Sequence, residues 1–441
     1  MSPRLLAHVG VAVATLLCAL FAFWPGLDNG FWGSDFHFLE RAAAAEIDAA
    51  VLVQSWAEPF QRPLSQLAFY SEYALWGLDS HAFLLTHVLL HAFNSTLLFA
   101  LLRGPVGPQG AAGAAILFAL GFGFYGETVL RIADLAHLFG TTFVLATGII
   151  ALRAQLERTP RLRLVATLLA ASFFLTALLA HEGAIMALVM FGGLMWPHRR
   201  SISSVTRKMT LLVAIAIVWL GAQVVRGIGV AELLTQADTW LEGPWRVLRL
   251  AALSVVPIAS DSVPEPGGSL LQRFLQLVDQ MRPILGLLLV AGASVWFWRG
   301  AGAVRWLLAA WLGFLVALGL LQPPGSTAQL ADAYLPAAFF CGAVAHGFRL
   351  LWMRATPGRR VLLGLTFVVA LHAGVVRVHT YELLADARGR SLESWRRLQE
   401  LQSQPRREAP GTPQLEREGV SQKSAPIETF DPEGSVPQRV S

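Results

Sequence analysis

Apolar runs long enough to cross a lipid bilayer recur along this chain, and that recurrence restricts its fold more than any other feature. A spanning helix needs about 20 consecutive, mostly apolar residues. Such runs lie near 5–24, 84–103, 109–126, 137–152, 163–180, 184–197, 209–225, 283–298, 304–321, 334–352 and 361–376. In hydrocarbon every backbone polar group must be bonded internally, and a helix achieves that within one segment. The expected fold is therefore an all-α, polytopic membrane protein of about eleven transmembrane helices. Composition agrees: 55% of residues are hydrophobic and 14% are charged, against roughly 25% charged in soluble domains.

Two of these runs need an argument. The stretch 163–197 is too long for one span, and His181-Glu182-Gly183 interrupts it. A charge at the centre of a membrane helix costs about 2.5–3.5 kcal/mol, so a hairpin with His-Glu-Gly at its tip is expected. The first run, Leu5 to Trp24, exceeds the usual length of a signal-peptide core, and no A-x-A site precedes Pro25. It reads as a retained signal anchor.

Charge sets the expected orientation. With the N-terminus inside, the cytoplasmic segments hold sixteen basic residues and one acid, Glu157. The outer segments before residue 377 hold eight basic residues and eighteen acids. The pI near 9.7 thus reflects arginines beside anionic headgroups, not nucleic-acid binding. Cys18 and Cys341 both fall within spans, so no disulfide framework is expected. Two lysines among 34 basic residues, with abundant Ala, Leu and Gly, suggest a high-GC bacterial genome. The expected location is a bacterial inner membrane, with the C-terminus extracytoplasmic.

Residues 1–380 form the expected transmembrane domain, with long outer loops at 25–83 and 226–282. The first loop reads as an entry segment, an alanine-rich helix over about 36–53, and an interfacial helix over about 64–76 rich in aromatics. The second carries an apolar stretch, 245–258, broken by Arg246, Arg249 and Pro257, which reads as re-entrant or interfacial, then a helix over 270–280. A surface helix is expected within 381–404, with Leu392, Trp395, Leu398 and Leu401 on one side. Residues 405–441 have the composition of a disordered tail.

Ionisable residues gather at the outer ends of the spans. Asp35 lies in Trp32-Gly33-Ser34-Asp35-Phe36-His37; Arg62, His81, His87, His91 and Asn94 follow; then Glu127, Arg131, Asp134 and His137; then His181 and Glu182; and finally Asp332 and Tyr334. Groups near membrane depth are functional candidates because burying them is costly. A site built from them holds carboxylates for general-base work and arginines for a phosphate. Each also has a plainer reading. Asp35 suits a helix N-cap. His87 and His91, spaced i, i+4, suit metal ligation or interhelical hydrogen bonding. Glu127, Arg131 and Asp134 suit an ion-pair ladder on one helix. No Cys-rich or His-x-x-Glu-His set accompanies the histidines, so no cofactor is expected, although a divalent metal is not excluded.

Three stretches carry a resemblance: Arg62-Pro63-Leu64-Ser65; Tyr73-Ala74-Leu75-Trp76-Gly77-Leu78-Asp79; and Thr86-His87-Val88-Leu89-Leu90-His91-Ala92-Phe93-Asn94. Weaker matches follow in order at Ala115–Leu120 leading to Glu127-Thr128-Val129, at Ala180–Ile185, and at Tyr334-Leu335-Pro336. Together they resemble the GT-C superfamily of membrane glycosyltransferases, specifically bacterial relatives of the transmembrane tetratricopeptide-repeat O-mannosyltransferases, without the repeat domain. The resemblance implies a GT-C-like bundle with a long first extracytoplasmic loop. It implies a polyprenyl-phosphate sugar donor, transfer of a hexosyl or mannosyl group with inversion to an extracytoplasmic protein, lipid or glycan acceptor, and an acid of the first loop as catalytic base. Asp35 occupies that position. Arg62 is the expected phosphate contact with Arg131 behind it, and His87, His91, Glu127, His181, Glu182 and Tyr334 are the remaining expected donor-binding residues.

The chain departs from the family pattern at several points. Ser34 stands where relatives often carry a second acid, and Gly121-Phe122 where they have His-Pro. Leu135-Ala136-His137 replaces Arg-x-Asp, His181 replaces a lysine, and Ala331-Asp332 replaces Arg-Tyr. The alternative reading is a non-catalytic transporter or scaffold that retains a diverged GT-C fold. Transporters place ionisable groups near the midplane within repeated halves, whereas here the charges sit at the outer ends and no repeat is evident.

Overall fold

The computed structural model describes residues 3–44, 62–121, 126–188, 202–225, 270–299, 334–365 and 392–403, with a few scattered positions between 247 and 368. The described residues are helical, with no strand among them. The expected spans 184–197, 304–321 and 361–376 lie largely outside these segments, as do most of 226–282 and the tail beyond residue 404.

Helix α1, Pro3–Phe23, presents Leu5, Val9, Val13, Leu17 and Phe21 outward at four-residue intervals. A continuous exposed apolar stripe of this kind is a lipid-facing surface. α2 is Asp35–Ala44, α3 is Pro63–Trp76, and α4 is Ser80–Val106, started by Asp79, whose carboxylate accepts from the Ala82 N–H (3.2 Å). α5, Pro108–Ala119, is followed by α6, Gly126–Leu130, and α7, Leu135–Leu156. Next come α8, Pro160–Ala180, α9, Ile202–Val225, α10, Leu270–Arg299, α11, Tyr334–Arg354, and α12, Leu392–Ser403.

Among the described residues, five segments have the length and hydropathy to cross a bilayer: Leu5–Asp28, Ser80–Val106, Ile132–Leu156, Pro160–Ala180 and Tyr334–Arg354. The chain is a multi-pass, all-α membrane protein. Two expectations change. The run 109–126 is a 12-residue helix, about 18 Å long at 1.5 Å per residue, well short of the roughly 30 Å hydrocarbon core. It stops because Leu120 leaves helical geometry and Gly121 adopts φ 75°, a left-handed conformation that suits glycine. The outer helix 270–280 and the span 283–298 are instead one 30-residue helix that continues through Pro283. The expected break at the tip of 163–197 is present: α8 ends at Ala180, and a short 3-10 turn, Glu182–Met186, follows.

The core lies where α4 packs against α1, α5 and α7, and where α7 packs against α8. Thr15 and Thr96 share a hydrogen bond (2.9 Å) between α1 and α4. Gly140 allows α7 to approach α8 closely: a Cβ there would stand 2.8 Å from the Cβ of His181. A four-helix lock fixes the end of the core nearest the site. The Tyr334 hydroxyl and His91 Nδ1 are 2.8 Å apart, and Asn94 Nδ2 donates to the Leu138 carbonyl (3.0 Å) and to the Tyr334 hydroxyl (3.3 Å). Thr142 donates to Asn94 Oδ1 (2.7 Å), while His91 Nε2 lies 3.4 Å from the Ala119 carbonyl. At the opposite end Arg103 donates to His8 Nε2 (2.7 Å) and Arg349 to Gln109 (3.4 Å).

α12 docks on α2. Ser394 and Leu401 are buried, Leu398 packs against the core, and the Arg397 guanidinium carbon lies 5.9 Å from the centre of the Phe36 ring. Trp395, expected on the same side of this helix as Leu398 and Leu401, is exposed.

Candidate functional site

α2 is two-faced. Asp35, Phe36, Leu39 and Ala42 turn toward the core, and His37, Phe38 and Arg41 turn outward to line a cleft. Arg62, Ser65, Gln66 and Phe69 from the start of α3 form the facing wall, with Ala133, Leu135 and Ala136 closing the side. The cleft has a volume of about 220 Å³. Its floor is aromatic: the rings of Phe38 and Phe69 lie 5.5 Å apart. Its charge is cationic, from two guanidinium groups.

Asp35 stands behind this wall. Its carboxylate is 1% exposed and accepts from the Trp32 N–H at Oδ2 (3.2 Å) and from the Ala133 N–H at Oδ1 (2.8 Å). Since Ala133 lines the cleft, one peptide group separates the carboxylate from it. Burial pushes the Asp35 carboxyl up to about 6, against the opposing pull of the two N–H groups, of Arg131 and of His87. The group is thus poised to take up a proton near neutral pH.

Arg131 braces the same loop. It donates to Ser34 Oγ (2.7 Å), its guanidinium sits 5.0 Å from the centre of the Trp32 ring, and Asp134 lies 4.0 Å away. The ladder expected on one helix is absent, because α6 ends at Leu130 and Arg131 is extended before a 3-10 turn, Ile132–Asp134. The backbone of Glu127 belongs to α6; its side chain is outside the described residues.

Arg62 and Glu182 form a two-pronged ion pair, Nε to Oε2 at 2.9 Å and Nη2 to Oε1 at 2.6 Å. Burial alone would raise the Glu182 carboxyl, but the charge of Arg62, with His181 and the hydrogen bonds, outweighs it and brings the group down to about 2. Ser65 donates to the Ala180 carbonyl (2.8 Å), fastening α3 to the end of α8. His181 accepts from the Gly183 N–H at Nδ1 (2.9 Å), which puts its proton on Nε2. Burial first, and Arg62 next, lower its pKa to about 4, so the ring is neutral at pH 7. The His137 ring lies 4.2 Å away.

Of the expected residues, Arg62 lines the cleft, Glu182 pairs with it, and Asp35 is bonded to the lining residue Ala133, whereas Arg131 bonds to Ser34 and His181 adjoins Glu182 without lining it. His91 and Tyr334 stand apart: their polar atoms serve the interhelical lock and do not line the cleft. His87 is fully buried, with Nε2 3.6 Å from Glu72 Oε2. His87 and His91 thus face different partners despite their i, i+4 spacing. Among the described residues, no three His, Cys, Asp or Glu side chains are grouped closely enough to hold a metal ion. The cleft residues His37, Arg41 and Gln66 were not expected. The i, i+4 spacing of His37 and Arg41, opposite the buried stripe of α2, is the signal that marks them.

No protein-family model and no curated protein matches the sequence. Among solved structures, the chain is similar to an oligosaccharyltransferase from Archaeoglobus fulgidus tethered to an acceptor peptide, at 12% identity and a TM-score of 0.48, over 87% of this chain and 55% of that one. The same enzyme in complex with zinc and sulfate gives 13% identity and a TM-score of 0.46, over 87% and 53%. ArnT from Cupriavidus metallidurans bound to undecaprenyl phosphate gives 16% identity and a TM-score of 0.43, over 86% and 69%. The chain spans about half the length of the oligosaccharyltransferase structures.

Proposed function

We propose that this protein is a membrane glycosyltransferase that moves a sugar from a polyprenyl-phosphate carrier to an extracytoplasmic acceptor. The observation that carries the reading is one arrangement: a buried carboxylate held near neutral acidity, one peptide group behind a cleft that presents two arginines over an aromatic floor. In the reaction, Asp35 removes the proton of an acceptor hydroxyl. The freed oxygen attacks the anomeric carbon, and the bond from that carbon to the phosphate oxygen breaks. Polyprenyl phosphate leaves with one more negative charge, which the cationic side of the cleft stabilises. Arg62 is paired with Glu182, whereas Arg41 has no acidic partner among the described residues. Arg41 is therefore the stronger phosphate contact, with Arg62 behind it. For Asp35 to reach an acceptor, the turn Ile132–Asp134 must release Oδ1. A bacterial inner membrane with the N-terminus cytoplasmic completes the reading.

The competing reading, a non-catalytic scaffold or transporter, draws on one feature: both Asp35 oxygens are already bonded to backbone. A single experiment separates them. Purified protein in nanodiscs is supplied with radiolabelled undecaprenyl-phosphate hexoses and a detergent extract of envelope glycans, and sugar transfer is followed. Transfer by the wild type that is lost in Asp35→Asn supports the enzyme. Full transfer by Asp35→Asn removes the mechanism, and a wild type inert toward all donors favours the scaffold.

A further inference from the structure

The last described helix returns to the first helix of the site. On α12, Ser394 and Leu401 are buried and Leu398 packs against the core. Their i, i+4, i+7 spacing makes one stripe of the helix. Arg397 stands beside that stripe, with its guanidinium carbon 5.9 Å from the centre of the Phe36 ring, within cation–π distance. The Phe36 ring meets Phe31 edge-on at 6.4 Å, and Phe31 meets Phe83 of α4 at 5.9 Å. The hold of α12 on α2 thus continues into the core through a row of rings.

α2 depends on such support. It is 10 residues long, and an isolated helix shorter than about 12–15 residues is marginal in water. Its place is set by what packs on it: α3, the turn Ile132–Asp134, and α12. At about 100° per residue, Phe36 stands about 100–160° round the helix from His37, Phe38 and Arg41, which line the cleft. α2 is therefore held between the cleft and α12. Asp35 directly precedes Phe36, and its carboxylate is fixed by the Trp32 and Ala133 N–H groups. A shift of α2 at Phe36 moves Asp35 against those two donors and moves Arg41 within the cleft. Arg397 is exposed, and exposed cation–π contacts are weak, so the seat can open without melting the core.

We propose that α12 is a strap that sets the position of α2, with Arg397 as its positioning residue; the effect on catalysis rests on the transferase reading. Arg397 acts through Phe36 and touches no substrate. Leu398 and Leu401 anchor the helix that carries it.

Two measurements on the full-length protein in nanodiscs test this. The first needs no substrate: hydrogen–deuterium exchange followed peptide by peptide. Arg397→Ala speeds exchange of the α2 amides by about 3- to 10-fold, while α4 and α7 exchange as in wild type. Leu401→Ala, which loosens the anchor instead, gives the same local pattern. Arg397→Lys keeps a cation over the ring and stays close to wild type. Unchanged α2 exchange in both alanine variants overturns the strap. So does an equal rise in α2, α4 and α7, which marks a general loss of stability. The second measurement is transfer from undecaprenyl-phosphate hexose. Arg397→Ala lowers kcat/KM about 10-fold, Arg397→Lys restores it, and alanine at the neighbouring exposed Arg396 leaves it unchanged. Wild-type transfer by an Arg397→Ala protein whose α2 exchanges faster overturns the positioning role. A wild type that transfers no sugar defeats the transferase reading, and the exchange result then still decides whether α12 holds α2.

Discussion

Arg62 and Glu182, 120 positions apart, meet through two parallel charge-assisted hydrogen bonds and so join the start of α3 to the 3-10 turn after α8. The pair is partly exposed, with side-chain exposures of 32% and 21%, so solvent weakens it. Glu182→Gln leaves one good hydrogen bond and an uncompensated guanidinium. The expected cost is about 1–2 kcal/mol, read as a lower midpoint of thermal unfolding in detergent. A variant as stable as wild type would assign the pair no structural role.

The same pair has a pH signature. The folded-state pKa of Glu182, about 2, lies below its ordinary value of 4.5. A depressed carboxyl contributes stability that is complete above the ordinary value and is lost as pH falls toward the folded one. Wild-type stability is therefore expected to fall between about pH 4.5 and 2 more steeply than that of Glu182→Gln. Parallel unfolding midpoints across that window would contradict the assignment.

Asp35 has the opposite sign. Its pKa is raised to about 6 from 3.8, so the folded protein binds a proton more tightly and loses stability as pH rises between those values. Asp35→Asn keeps the side chain's shape without a buried charge. The variant offers one acceptor to the two N–H groups that Asp35 holds, so its melting midpoint at pH 7 is expected to fall modestly, while sugar transfer falls by about 10²–10⁴-fold. In wild type, transfer should rise through a midpoint near pH 6. Activity that is flat from pH 5 to 8 would exclude Asp35 as the base.

Tyr334→Phe separates structure from chemistry. Removing the hydroxyl leaves His91 Nδ1 without its 2.8 Å partner and takes one acceptor from Asn94. The expected result is a loss of about 1–2 kcal/mol of stability with KM for the lipid donor unchanged. A raised KM would return Tyr334 to the donor site.

Gly140→Ala places a Cβ 2.8 Å from the Cβ of His181, and backbone must move to admit it. Overpacking of this kind costs about 1–3 kcal/mol, measured as a lower unfolding midpoint. Gly113→Ala is the control, since its Cβ would meet only Ala345 at an ordinary 3.5 Å.

Much of this architecture was legible in the sequence because bilayer thickness acts on whole segments. The runs at 84–103, 137–152 and 163–180 each fall inside an observed helix. Where a single backbone conformation decided the outcome, the pattern gave no warning. Gly121 cuts short an apolar run that reads as a span, and Arg131 leaves the helix that a ladder of Glu127, Arg131 and Asp134 requires. The site divides in the same way. Asp35, Arg62 and Glu182 were recognisable as polar residues at segment ends, but pairing between residues 120 positions apart is a tertiary fact. His91 and Tyr334 look like ligand-binding groups until their partners on neighbouring helices are seen. Arg41 was hidden among the ordinary charges of the segment between the first two spans, since only the facing of α2 distinguishes it.

The seat of α12 on α2 also constrains where the two helices lie. Arg397 of α12 reaches Phe36 of α2, so the two helices share one side of any bilayer that the first span crosses. A topology that put them on opposite sides would set them about 30 Å of hydrocarbon apart.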